Sequence, residues 1–177
     1  MVEALAGRLA NSIKKANPEN TASVPVLKYG LIILINFLTT FFLALVIGIF
    51  LGKVQEVLLG LLVFMALRAV SGGYHFQSSM MCTLATTATV VTAAYISLPV
   101  AVSIVVNALC CVLVLLFAPS RIERQSNIPG KYYPYLKLVS LLMVAANFAI
   151  HSDLLTTIYF FQCISLIHFT KERREDT

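Results

Sequence analysis

Residues 29–52 read YGLIILINFLTTFFLALVIGIFLG, and Lys28 and Lys53 bracket these 24 positions without a charged residue between them. An α-helix rises about 1.5 Å per residue, so about 20 apolar residues cross the roughly 30 Å hydrocarbon layer of a bilayer. The stretch therefore predicts a membrane-spanning helix over about 30–50. The rest of the chain has the same character: 59% of its 177 residues are hydrophobic and 12% are charged, against about 25% charged in a soluble domain. The mean hydropathy is +0.87. A soluble domain of this size could not hide so much apolar surface, and the composition predicts an all-α, polytopic transmembrane bundle.

Towards the N-terminus, Val2, Leu5, Leu9 and Ile13 recur at helical spacing among charged and polar residues. This predicts a short amphipathic helix over 2–16 lying at the membrane surface. Asn17-Pro18-Glu19-Asn20 breaks it, and Pro25 marks a further discontinuity. The first 29 residues hold no apolar core of signal-peptide length, so the first span is expected to act as an uncleaved insertion signal.

Towards the C-terminus, a second span is expected over about 54–70, with Glu56 near one end and Arg68 near the other. From Phe76 to Ser120 no Lys, Arg, Asp or Glu occurs. Those 45 residues suit two spans, about 79–97 and 99–118, turning at Ser97 and Pro99. After Pro119 comes the polar stretch SRIERQSNIPGKYYP. Apolar runs over 138–150 and 154–169 then form a pair of tight spans or a broken, re-entrant pair, before a charged tail. The expected organisation is an interfacial arm over 1–29, a bundle of six spans over 30–170, and a tail over 171–177. With the N-terminus inside, six spans place twelve of the thirteen Lys and Arg residues on the cytoplasmic side, Lys53 being the exception. The positive-inside rule requires that bias. Five spans would put Lys171, Arg173 and Arg174 outside.

The formal charge of +5 is thus explained by topology and gives no reason to invoke nucleic acid. Membrane lipids are the expected surroundings, and the basic face suits anionic lipids or an anionic peptide. No Lys, Asp or Glu sits mid-span, which disfavours a charge-coupled transporter. Asn36, Asn107 and Asn147 are expected to hydrogen-bond between helices. The four cysteines, Cys82, Cys110, Cys111 and Cys163, contain no CxxC pair and suggest no disulfide scaffold. No HExxH motif exists, and His75 and His151 fall on opposite sides of the expected bundle, so no metal or other cofactor is expected. Asp153 reads as a solvated turn residue. Small residues in the spans permit close contact within one chain or between two copies, leaving a homo-oligomer open.

Polar chemistry concentrates in LRAVSGGYHFQSSMMC, residues 67–82. A cysteine nucleophile is its thiolate, and a nearby histidine serves as general base. On an unbroken helix His75 and Cys82 would share a face but stand about 10 Å apart, whereas proton transfer needs roughly 3 Å. The helix must therefore be interrupted. Gly72 and Gly73 supply the freedom, and Ser78 or Ser79 can cap a new helix carrying Cys82 near its start. Backbone N–H groups there favour the thiolate and could face the oxyanion of an attacked carbonyl. Arg68 either snorkels to the interface or organises the site.

This stretch resembles the signature of the accessory gene regulator B family, bacterial membrane endopeptidases that process quorum-sensing propeptides. Arg68, the small residues with Gly72 and Gly73, then His75, and Cys82 after six intervening residues carry the resemblance. It extends over nearly the whole chain, through the basic amphipathic start, the order of spans, Pro119, and the segment from Pro129 to Lys131. It implies a cysteine endopeptidase whose catalytic residues are His75 and Cys82, with Arg68, Gly73 and Ser78 binding substrate or organising the site. The resemblance further implies that the site faces the cytoplasm of a bacterial cell membrane and that no cofactor is needed. The implied partner is a small autoinducer propeptide, cut and then cyclised to a thiolactone or lactone. The basic loop over 119–137 is sparser than in some relatives, which bears on how substrate is held. From the residues alone, a small peptide transporter or pore and a non-catalytic adaptor remain the rival readings. A reactive thiol is what neither of them needs.

Overall fold

A computed structural model describes residues 2–74, 78–120 and 129–167. Among the described residues seven α-helices follow one another: α1 (Val2–Ala16), α2 (Val24–Phe50), α3 (Val54–Ser71), α4 (Ser79–Ala93), α5 (Val100–Phe117), α6 (Tyr133–Ile150) and α7 (Asp153–Ile164). A 3-10 turn, Gly130–Tyr132, leads into α6. Successive long helices run antiparallel. The ends of α3, α5 and α7 and the beginnings of α4 and α6 therefore gather at one end of the bundle.

Four of these segments are long and apolar enough to cross a membrane: Val24–Phe50, Val54–Ser71, Val100–Phe117 and Gly130–Ile150. Large apolar side chains such as Phe42, Ile49, Leu62, Val105, Leu116 and Leu142 point outward, the arrangement lipid demands of a spanning helix. The chain is a membrane protein. α4 and α7, with 15 and 12 residues, are shorter than the expected spans over 79–97 and 154–169. At 1.5 Å per residue they reach about 22 and 18 Å, less than the hydrocarbon thickness.

Several boundaries depart from the pattern of apolar residues. The first span begins at Val24, not near 30, because Pro25 occupies the first turn of α2, where a missing N–H costs nothing. Pro134 plays the same part in α6, which begins at Tyr133 rather than Leu138 and takes in Lys137. α4 ends at Ala93, not Ser97. The amphipathic α1 forms over 2–16 as expected, but it packs along α2 through its small residues: Ala6 and Ala10 are buried, while Leu5, Leu9 and Ile13 stay exposed. Close helix approach selects the alanines, and the larger apolar side chains are left on the outside.

The core lies where α3 and α7 cross. Val57, Leu61, Phe64 and Leu67 of α3 meet Leu155, Ile158, Tyr159 and Cys163 of α7, with Val90, Cys110, Val114 and Val144 completing the cluster. At Gly60 the side chains of α7 press so closely on α3 that a Cβ would stand 2.9 Å from Ile158 Cδ1. Asparagines tie helices together. Asn107 donates to the Val144 carbonyl at 3.1 Å, and Asn147 donates to Thr156 Oγ1 at 2.8 Å and to Asn107 Oδ1 at 3.4 Å. Asn36 Oδ1 accepts from Thr83 Oγ1 at 2.8 Å, joining α2 to α4. Asp153 is no solvated turn residue. It accepts from the Leu98 N–H at 3.2 Å and from Ser103 Oγ at 2.9 Å, pinning the α4–α5 connection to the start of α7.

Candidate functional site

The polar end of the bundle is built around the break after α3. That helix stops because Gly72 and Gly73 take φ of +71° and +124°, values that side chains bearing a Cβ rarely adopt. The turn they make is threaded between two other chain segments. The Gly73 N–H donates to the Ser120 carbonyl, the Ser120 N–H to the Ser71 carbonyl, and the Tyr74 N–H to the Ser165 carbonyl, each at 2.9 Å. Gly73 also lies against α7's end, where a Cβ would stand 2.6 Å from Ser165 Oγ. Gly73 is therefore demanded twice, by its backbone angle and by its neighbour.

Arg68 projects from the last turn of α3 into this turn. It donates through Nη2 to the Tyr74 carbonyl and through Nη1 to Gln162 Oε1 at 3.4 Å, and its guanidinium stands 5.8 Å from the centre of the Phe64 ring. Its Nε is buried and has no acceptor among the described residues. The snorkelling alternative does not describe this side chain: its terminal nitrogens turn inward to the turn and to α7.

Cys82, half-buried, sits one turn into α4. Ser78 is the N-cap residue with extended backbone angles, but its side chain makes no capping bond. The Cys82 N–H donates to the Ser78 carbonyl at 3.1 Å, so the amide of Cys82 is consumed by the helix. The N–H groups without an intrahelical acceptor belong to the positions just before it. Thr83, next in sequence, is buried and holds α4 to α2 through Asn36 and Thr40. The cysteine is thus carried on a firmly docked helix start. His75 lies outside the described residues, as do Gln77 and the basic residues Arg121, Arg124, Lys171, Arg173 and Arg174. The chain neighbour of His75, Tyr74, is held at Arg68 through its carbonyl.

The spacing argument missed three residues of this end: Ser120, Ser165 and Gln162. Gln162 is fully buried and donates to the Gly72 carbonyl at 2.7 Å and to Ser71 Oγ at 3.1 Å. An amide inside the last apolar run was the available signal, of the same kind as the three asparagines. Elsewhere, His151 caps α6 in a left-handed conformation at the opposite end, exposed. Cys163 Sγ points to the Cys110 carbonyl at 3.7 Å within the core. Among the described residues no three His, Cys, Asp or Glu side chains converge as metal ligands would.

Antiparallel apolar helices, with an arginine, a strained glycine turn and a helix-start cysteine gathered at one end, define a polytopic membrane protein with a polar site at the edge of its bundle. The chain belongs to the accessory gene regulator B family, which it matches over residues 6–171. It is similar to an AgrB-like protein of Halalkalibacterium halodurans, 39% identical over 84 residues. That stretch makes up 48% of this chain and 43% of the relative, so the two align over less than half of either length. No solved structure matches the chain.

Proposed function

We propose that this protein is a membrane cysteine endopeptidase that cuts the C-terminal part from a small quorum-sensing propeptide and assists its cyclisation. One observation carries the reading: Arg68 donates to the carbonyl of Tyr74, the residue before His75, in the turn that leads to α4, which carries Cys82 near its start. The residue preceding His75 is thus held at a cation just ahead, in the chain, of the helix bearing the thiol. Family membership over nearly the whole chain supports the same conclusion.

The mechanism runs through His75 as base and Cys82 as nucleophile. The imidazole takes the thiol proton, and the thiolate attacks the scissile carbonyl. N–H groups at the start of α4 and the Arg68 guanidinium offer positive charge to the oxyanion that develops. His75 returns the proton to the departing amine, the C–N bond breaks, and the propeptide's N-terminal portion remains as a thioester on Cys82. An internal Cys or Ser of that portion attacks the thioester carbonyl. Its proton returns to Cys82 by way of His75, and a thiolactone or lactone leaves. Gly73 and Ser78 serve the site through the backbone, one permitting the turn and the other starting the helix.

In this reading the protein lies in the bacterial cell membrane with six spans. The arm over 1–29 and the tail over 171–177 are on the cytoplasmic side with the site, and the catalytic bundle occupies 30–170. The exposed Leu5, Leu9 and Ile13 then face lipid. The test is co-expression with a cognate propeptide, comparing wild type with Cys82→Ala and His75→Ala. Both variants should reach the membrane at wild-type levels and leave the propeptide uncut. Normal processing by Cys82→Ala would overturn the proposal.

A further inference from the structure

We infer that the polar end of the bundle is sunk within one leaflet, about 10 Å or more beneath the headgroups, and that it receives a peptide which has entered that leaflet. The peptide rests on the protease reading above, and the depth stands without it.

Two bonds between helices fix how far each one reaches. Thr83 Oγ1, next to Cys82, donates to Asn36 Oδ1 at 2.8 Å and accepts from Thr40 Oγ1 at 3.2 Å. That turn of α4 is therefore level with residues 36–40 of α2. From there α4 rises only about 6 Å to its first residue, Ser79, whereas α2 runs about 12–18 Å to Lys28. Measured along the helix axis, Cys82 lies about 10–16 Å inward of Lys28. The far end agrees. Tyr95, just past α4, donates through its hydroxyl to the carbonyl of Leu51, just past α2, at 3.1 Å. The difference in length, 27 residues against 15, thus falls mainly at the site end. α6 and α7 show the same step: Asn147 donates to Thr156 Oγ1 at 2.8 Å. Beyond that level α7 continues about 12 Å, to Ile164, and α6 about 21 Å, to Tyr133.

The surface beside this step is apolar. Ile33 and Leu34 are exposed on α2 between Lys28 and Asn36, and exposed Leu138 of α6 stands level with the end of α7. Such side chains face acyl chains, so the tails extend outward past the level of Cys82 and Gln162. Interfacial residues come further out. Lys28 and Tyr29 mark α2, with Arg8 beside them, since a Cβ on Gly7 would stand 3.9 Å from Lys28 Cε. Lys131, Tyr132 and Tyr135 mark α6. Cationic and aromatic side chains collect at headgroup level. Arg68, Ser71, Gln162 and Ser165 lie below that level, and their bonds to one another and to the glycine turn satisfy polar groups that the tails would not. A peptide that reaches the thiol has to descend past the headgroups, and about 10–16 Å takes about three to five residues of extended chain.

The chain contains no tryptophan, so a single one reports depth. The full chain is placed in phosphatidylcholine vesicles whose acyl chains carry bromine either near the headgroup or at mid-chain, and quenching of tryptophan fluorescence is compared between the two. Tyr29→Trp and Tyr135→Trp report the rim, and Met81→Trp and Leu84→Trp report α4, all four positions being exposed. The rim variants should be quenched about twofold more by the shallow bromine, and the α4 variants about twofold more by the mid-chain bromine. Leu84 lies about 4.5 Å deeper than Met81 and decides alone if Met81→Trp yields no folded protein. An α4 tryptophan quenched in the same pattern as the rim overturns the depth. For the peptide, a propeptide whose one tryptophan stands beside the scissile bond is co-purified with Cys82→Ala, which holds it uncut, and the complex is placed in the same vesicles. Its tryptophan should follow the α4 pattern, and the rim pattern would overturn entry into the leaflet. No propeptide enters the depth measurement. Normal processing by Cys82→Ala would therefore remove the protease reading and leave the depth standing.

Discussion

Replacing Gly73 with alanine disturbs the turn in two separable ways. The backbone there has φ of +124°, outside the regions open to alanine, at a penalty of about 1–3 kcal/mol. The new Cβ would also stand 2.6 Å from Ser165 Oγ. That hydroxyl must swing aside and give up its 2.7 Å bond to the Gln162 carbonyl, about 1 kcal/mol more. The sum, about 2–4 kcal/mol, is comparable with the lower part of what holds the turn closed, since its three inter-segment backbone bonds and the two donated by Gln162 contribute about 0.5–1.5 kcal/mol each, about 2.5–7.5 kcal/mol together. The turn should therefore open in much of the population while the helices stay packed. Hydrogen exchange reads this directly: the Gly73 and Tyr74 amides, bonded to Ser120 and Ser165, should be protected in wild type and lose that protection in Gly73→Ala. Propeptide processing should fall by about tenfold or more. Adding Ser165→Ala should restore part of the loss by removing the clash and leaving the backbone strain. Gly30→Ala, where nothing lies within 4 Å of the new Cβ, should leave processing unchanged. Protection and processing in Gly73→Ala within twofold of wild type would refute the reasoning.

Arg68→Lys keeps the charge but not the fork that reaches both Tyr74 and Gln162. Processing should drop about tenfold despite unchanged net charge, measured by the ratio of cut to uncut propeptide. Asp153→Ala loses two acceptor contacts, to Leu98 and Ser103. It should lower stability by about 1–3 kcal/mol in denaturation followed by labelling of Cys163, while the folded fraction still processes propeptide at the wild-type rate. Asn147→Leu removes the bridge from α6 to Thr156 and Asn107 and should destabilise by about 1–2 kcal/mol in the same assay.

Helices were legible where apolar runs were long, because lipid enforces backbone pairing within each helix. Their ends were legible only where charge or proline chemistry was read correctly. Pro25 and Pro134 look like breaks, yet both sit in first turns, where proline is welcome. The break at Gly72 and Gly73 could be read from their small size together with the chemical need to bring His75 and Cys82 closer. The partners of the turn could not. Ser120 and Ser165 are ordinary serines far away in sequence, and the antiparallel packing alone brings them to Gly73 and Tyr74. The amphipathic stripe of α1 identified the helix correctly but gave no sign that Ala6 and Ala10 would be the face packed inward. Helix periodicity names the large apolar residues, and close packing prefers the small ones.

The most direct measurement of the central claim is the mass of the Cys82 peptide after the membrane-embedded protein meets its propeptide and is quenched in acid. A fragment of the propeptide joined to Cys82 through a thioester, present in wild type, missing in His75→Ala and released by hydroxylamine, is the predicted result. Cleaved propeptide accumulating from Cys82→Ala, or a covalent fragment on any residue other than Cys82, would contradict it.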